Sequence, residues 1–192
     1  MVGPFADKDW EHETMPVENI GMVGTRDASE SKGSLVDGPV VNWIDGPAID
    51  RDYLVATSRA HDEGDFDRVL IGYGDVGLEG WAVASSVLNS IKKLKVVVAH
   101  WRGFVRPVVL ARMAAALDHL SGGGRFAIHF ITGGDEADQR REGDFVPYGT
   151  RYRRTLETVA ITRRILSEGI PRPQELNGKT TFPPTTKVLE CW

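Results

Sequence analysis

Cysteine is nearly absent. The one present, Cys191, cannot form an internal disulfide, and no Cys–His spacing builds a structural zinc site. Long apolar runs are missing too: none approaches the roughly 18 residues of a membrane helix. The opening "MVGPFADKDWEHETMPVEN" has no basic start followed by an apolar core, so no secretory leader is expected. Positive charge is not in excess. A net charge of −4 gives no electrostatic case for nucleic acid. Five scattered tryptophans (Trp10, Trp43, Trp81, Trp101, Trp192) make no stacking ladder for single strands. The expectation is a cytoplasmic protein with no membrane or nucleic-acid partner. What is present suffices for one domain with a core: 192 residues, 41% hydrophobic and 26% charged.

Residues 1–18 are polar and aperiodic, a flexible leader. "NIGMVGT" (Asn19–Thr25) is a short candidate strand, followed by a long loop rich in Gly, Ser, Asp and Pro over residues 26–47. From Ala48 the pattern becomes regular. Ile49, Tyr53, Leu54, Ala56 and Ala60 approach helical spacing, and Gly64 stops it. "DRVLIGYG" (Asp67–Gly74), "KLKVVVAHW" (Lys93–Trp101) and "RFAIHFIT" (Arg125–Thr132) read as buried strands. Helices are predicted over Glu79–Ile91, Arg106–Gly124 and Thr150–Gly169. In the second of these Pro107 suits the first turn, and Val108, Leu110, Ala111, Ala114, Leu117 and Leu120 form an apolar stripe. In the third, Leu156, Val159, Ala160, Ile165 and Leu166 are expected inward. Residues 170–192 are Pro-rich and are read as an irregular tail after a domain over 19–169.

Alternation of this kind implies an α/β fold with a parallel sheet covered by helices. Right-handed crossovers place the strand C-termini on one face. The residues gathered there are Thr25, Gly72 to Asp75, His100 to Phe104 and Thr132 to Asp135. Thr132-Gly133-Gly134 ends a strand with backbone freedom and one hydroxyl, which suits either a ligand lying on the main chain or a plain turn. His129 is expected to pack inside or against a helix, and His61 and His119 to be solvated. Arg140 and Arg141 sit among Asp135, Glu136, Asp138 and Glu142, a self-neutralising surface.

Three stretches carry a family likeness: "VVVAHWRGFVRPVVLARMAAALDHLSGGGRFAIHFITGG", "DEADQRREGDF" and "TRYRRTLETVAITRRIL". They resemble the bacterial-luciferase-like flavin monooxygenases, and among these the alkanesulfonate monooxygenase branch. "IGMVGTRDASE" and "DFDRVLIGYGD" look like that branch's first two strands, and the likeness runs from about Ile20 to Leu166. It implies part of a TIM-type (β/α)8 barrel, about four β/α units, using reduced FMN (FMNH2) and dioxygen. It also implies a small organosulfur substrate such as an alkanesulfonate, and a separate NAD(P)H-dependent flavin reductase as partner. By resemblance, Thr132, Gly133 and Gly134 lie beside the flavin ring, and Arg151 and Tyr152 reach its polar tail. His100 and Arg102 fall in the catalytic positions. Here the chain reads "AHWRGF" where relatives carry "AHRPGF", so Trp101 replaces Arg and Arg102 replaces Pro. Tyr73 and Asp75 are candidate substrate contacts, and no metal ligands are expected.

A full barrel of this type takes about 250 residues and commonly uses its last loops for phosphate. Four units supply half of it, so the expectation is a truncated form with interior-facing apolar strand faces exposed. Two other readings stay open. One is a non-catalytic fragment that associates with itself or with a full-length relative through its sheet edges. The other is a deazaflavin-dependent oxidoreductase, since that cofactor occurs on related barrels.

Overall fold

The computed structural model describes residues 17–24, 49–72, 79–101, 103–133 and 136–168. The expected leader up to residue 16, the long loop over 26–47 and the tail over 170–192 lie outside the described residues. Elements run in the order β1 (Ile20–Met22), α1 (Arg51–Glu63), β2 (Arg68–Ile71), α2 (Gly80–Ser90), β3 (Lys95–Trp101), α3 (Pro107–Leu120), β4 (Phe126–Ile131), α4 (Glu136–Arg141) and α5 (Tyr148–Glu168). The four strands form one sheet in the order β1-β2-β3-β4, every pair parallel. This is the α/β architecture of four strand-helix units that the alternation predicts. No described helix is long and apolar enough to cross a membrane.

Local chemistry sets the helix ends. Asp50 caps α1 by accepting from the Tyr53 amide at 2.9 Å. Glu79 caps α2, accepting from the Trp81 and Ala82 amides at 3.0 and 2.9 Å. Pro107 opens α3, where its missing N–H costs nothing. Beyond α3, Gly122, Gly123 and Gly124 all take positive φ, and the chain reverses into β4. Asp118 fixes that reversal: its Oδ1 accepts from the Arg125 and Phe126 amides at 2.9 and 3.2 Å. The Arg125 guanidinium then donates to the carbonyls of Ile91 and Ser121 at 3.0 Å and of Leu94 at 3.1 Å. A single cation thus satisfies acceptors left over where α2 and α3 end.

One face of the sheet carries the core. Val69, Ile71, Val96, Val98, Phe126 and Ile128 pack with Leu54, Val87, Leu88, Leu110, Ala114 and Leu166 from the helices. Fully burying one such aliphatic side chain contributes about 1.5–3 kcal/mol. The alternate residues point the other way. Among them Val97, Ala99, Trp101 and Ala127 are buried and Leu70, His129 and Ile131 half-buried, while Ile20 and Met22 on the β1 edge are exposed. Among the described residues, the exposure expected of the interior-facing side falls on β1. Among the described strands, β2 and β3 are flanked on each side, and β1 and β4 on one.

Several sequence expectations shift. Val108 and Leu120 are exposed, and the buried face of α3 is Leu110, Ala111, Ala114, Ala115, Leu117 and Asp118. In α5 the inward line is Arg151, Thr158, Thr162 and Leu166, while Leu156 lies out at 71% exposure. The Thr155 hydroxyl donates back to the Arg151 carbonyl at 2.8 Å, while the buried Thr162 hydroxyl has no partner among the described residues. His119 is exposed as expected. His61 is only partly so: its ring meets Phe66 edge-on and its Nδ1 bonds the Thr57 carbonyl at 2.8 Å.

Candidate functional site at the strand ends

Parallel pairing brings the strand C-termini together. Ile71 lies beside Val98, His100 beside Phe130, and Trp101 beside Ile131. Gly72, His100, Trp101, Thr132 and Gly133 therefore share one rim. Arg102, Gly134, Tyr73 and Asp75 lie outside the described residues, as does Thr25.

Thr132 and Gly133 are held by one side chain. From α4, Gln139 donates its Nε2 to the Thr132 carbonyl at 3.1 Å. Gly133 has φ +77°, and a Cβ placed on it would fall 1.6 Å from that same nitrogen. The glutamine fills the space the missing side chain leaves, so glycine is required twice over, by backbone angle and by room. On α5, Tyr152 is half exposed. It shares a 2.8 Å hydrogen bond with the Tyr148 phenol, the two rings meeting edge to face at 5.4 Å. This bond holds Tyr152 below the ordinary phenol value. The same bond holds Tyr148 above it.

The Arg151-Tyr152 dipeptide divides its labour. Tyr152 is exposed on the rim, whereas Arg151 is 1% exposed and turned inward. Its Nε donates to the Val146 carbonyl at 2.8 Å, and its guanidinium carbon lies 5.7 Å from the Tyr148 ring centre. Close by, buried Asp144 pairs through both carboxylate oxygens with Arg154, an arrangement that holds its carboxyl below the usual range. The turn after β3 rests on that pair. Gly103 has φ +126°, and a Cβ there would meet Asp144 Oδ2 at 2.9 Å and both Arg154 terminal nitrogens at 3.0 Å.

His100 is 4% exposed, in alternation with Val96 and Val98, so its ring lies on the helix side of the sheet. The Trp81 indole donates to its Nδ1 at 3.3 Å, which places the ring proton on Nε2. Its ring also meets Phe130 edge-on at 6.4 Å. The charged run after Gly134 contains the short helix α4, where Arg140 pairs with Glu136 and Arg141 with Asp138. That outer surface neutralises itself as expected. Gln139, Asp144, Tyr148 and Arg154 were not singled out in the sequence; a lone uncharged polar residue inside the charged run was the available signal for Gln139.

The rim presents an exposed pair of phenols, and behind it Gln139 Oε1 is buried without a partner among the described residues. No group of His, Cys, Asp or Glu among the described residues could hold a metal ion.

Solved structures share this frame. EDTA monooxygenase (EmoA) from Chelativorans sp. BNC1 superposes with a TM-score of 0.63 at 15% identity, over 89% of this chain and 43% of that one. The oxygenating constituent of 3,6-diketocamphane monooxygenase from Pseudomonas putida, in complex with FMN, gives 0.60 at 16% identity over 73% of this chain and 44% of that one. DmoA from Hyphomicrobium sulfonivorans gives 0.54 at 18% identity, over 68% and 34%. The chain thus spans less than half the length of the structures it matches. A family profile, luciferase-like monooxygenase, matches residues 29–190. Four parallel strand-helix units with a glycine-ended rim, and a profile match over most of the sequence, place this chain in the luciferase-like monooxygenase family.

Proposed function

We propose that this chain provides the flavin-facing half of an FMNH2-dependent monooxygenase that oxidises a small organosulfur compound such as an alkanesulfonate. The observation that carries the reading is the Thr132–Gly133 turn, with Gly133 at φ +77°, at the C-terminal rim of a parallel sheet. Luciferase-like family membership, and an FMN complex among the matched structures, support the cofactor. The organosulfur substrate rests on the sequence likeness to the alkanesulfonate branch.

When bound, reduced FMN supplies the electrons that activate dioxygen. The chain's own residues bind and orient. Gly133 lets Gln139 close over the end of β4, and the Tyr148–Tyr152 pair offers hydroxyl donors at little entropic cost. Arg151, buried beneath the phenols, supplies positive potential to that end of the rim rather than a direct fork to phosphate. His100 holds a proton on Nε2 from within the helix layer, and Trp81 fixes that tautomer. Arg102, Gly134, Tyr73 and Asp75 complete the proposed contact set. A separate flavin reductase would deliver the reduced cofactor.

Anaerobic titration of the full chain with reduced FMN tests the reading. Saturable binding in the micromolar range is expected, followed by sulfite release when an alkanesulfonate, dioxygen and a reductase are added. No saturation at high micromolar flavin removes the proposal, and a copurifying chromophore with a deazaflavin spectrum redirects it. A second reading, association through a sheet edge, is favoured by Ile20 and Met22, which are 52% and 59% exposed on the terminal strand β1. Sizing of purified protein decides it, because a stable monomer contradicts association with itself.

A further inference from the structure

Asp144 lies where α4, α5 and the turn after β3 converge. Its amide donates to the Gln139 carbonyl at 2.8 Å, which ties it to the end of α4. Its Oδ1 accepts from the Val146 amide at 3.2 Å and from Arg154 Nη1 at 2.9 Å, and its Oδ2 pairs with Arg154 Nη2. The carboxylate is buried and the guanidinium partly exposed. The turn after β3 presses on this pair. A Cβ at Gly103 would reach Asp144 Oδ2 at 2.9 Å and both terminal nitrogens of Arg154 at 3.0 Å. A two-pronged pairing holds the guanidinium in one orientation, so the turn rests on a fixed seat.

The contacts continue into α5. The Val146 carbonyl accepts from Arg151 Nε at 2.8 Å, and the Arg151 guanidinium carbon lies 5.7 Å from the Tyr148 ring centre. Tyr148 in turn shares its 2.8 Å phenol bond with Tyr152. One connected set of contacts thus runs from the turn at Gly103, through Asp144, to the exposed phenols at the start of α5. A buried ion pair contributes no more stability than apolar packing of the same volume, so its geometry is what distinguishes it here. We propose that Asp144 is a positioning residue: by seating the turn after β3 through Arg154 and the start of α5 through Val146, it fixes the spacing between that turn and the phenol pair for a ligand at the rim. The inference rests on the flavin reading above, in which Arg102, the residue before Gly103, and Tyr152 both belong to the contact set.

The test reads amide hydrogen exchange of the full chain, without ligand, by mass spectrometry in residues 103–106 and 148–152, with β2 and β3 as references. D144N/R154Q removes the pair and leaves the net charge unchanged. Exchange is expected to rise about tenfold in both segments together, because each opens locally once its seat is gone. G103A pushes on the pair from the turn and should speed exchange at 148–152 as well. Wild type in dilute urea is the control, since general destabilisation acts through the strands. Each protein is then titrated with FMN by flavin fluorescence, and D144N/R154Q is expected to bind about tenfold more weakly. A folded D144N/R154Q protein in which one segment or neither gains exchange overturns the proposal. So does urea that speeds both segments equally at matched strand rates, or wild-type FMN affinity with both segments loosened. Should D144N/R154Q not fold, R154K, which keeps the charge but cannot span both carboxylate oxygens, takes its place under the same criteria. If wild type does not bind FMN and the two segments still loosen together, the flavin assignment fails and the positioning role stands.

Discussion

Replacing Gly133 by alanine isolates the interlock between the β4 rim and α4. Two costs add. At φ +77° an L side chain is strained, about 1–2 kcal/mol. The new Cβ would also lie 1.6 Å from Gln139 Nε2 and 2.7 Å from its Cδ, so the glutamine must leave. Its departure removes the hydrogen bond to the Thr132 carbonyl, about 1 kcal/mol, and strands a buried amide for about 1 kcal/mol more. The total is about 3–4 kcal/mol. Gly123→Ala is the matched comparison. There φ is +85° but no atom lies within 4 Å of the added Cβ, so only the strain is incurred. The difference of about 2 kcal/mol, with a urea slope of about 2 kcal/mol/M, separates the two unfolding midpoints by about 1 M. Urea denaturation followed by circular dichroism measures both. If the two variants unfold at the same midpoint, Gln139 does not occupy the space over Gly133 and the account of the rim is wrong.

Three further outcomes follow from the same geometry. Asp144 has a depressed native pKa, so its contribution is present above the unfolded carboxyl value of about 3.9 and lost as pH falls through the native one. D144N should lower stability at neutral pH by about 1–3 kcal/mol, because Arg154 is partly exposed, and should flatten the acid limb of the stability curve; an unchanged acid limb would contradict the pairing. R125M should cost about 2–4 kcal/mol by leaving the carbonyls of Ile91, Leu94 and Ser121 without their common donor, and a thermal melt within a degree of wild type would show that water replaces it. W81F removes the donor to His100 Nδ1; nitrogen-15 NMR should show the His100 tautomers mixing, and a spectrum still dominated by the Nε2-protonated form would show that another group fixes the ring.

Much of this protein can be read from its order of residues. Pro107, Gly64 and the glycines after Leu120 mark ends that the backbone chemistry enforces, and the alternation of apolar runs with helical spacing fixes a parallel sheet with its strand C-termini on one rim. The structure alone decides which face each residue takes. In "KVVVAHW" every position from Val96 to Trp101 is buried, so the run carries no alternation to show that Val96, Val98 and His100 meet the helices while Val97, Ala99 and Trp101 turn away. The inward face of α5 is likewise hidden, because Thr158 and Thr162 are polar by type and are turned inward only by packing against their neighbours. Gln139 is the clearest case. Its role depends on a gap above Gly133 and a carbonyl seven residues earlier, and local spacing cannot encode a space that exists only when α4 folds back over the end of β4.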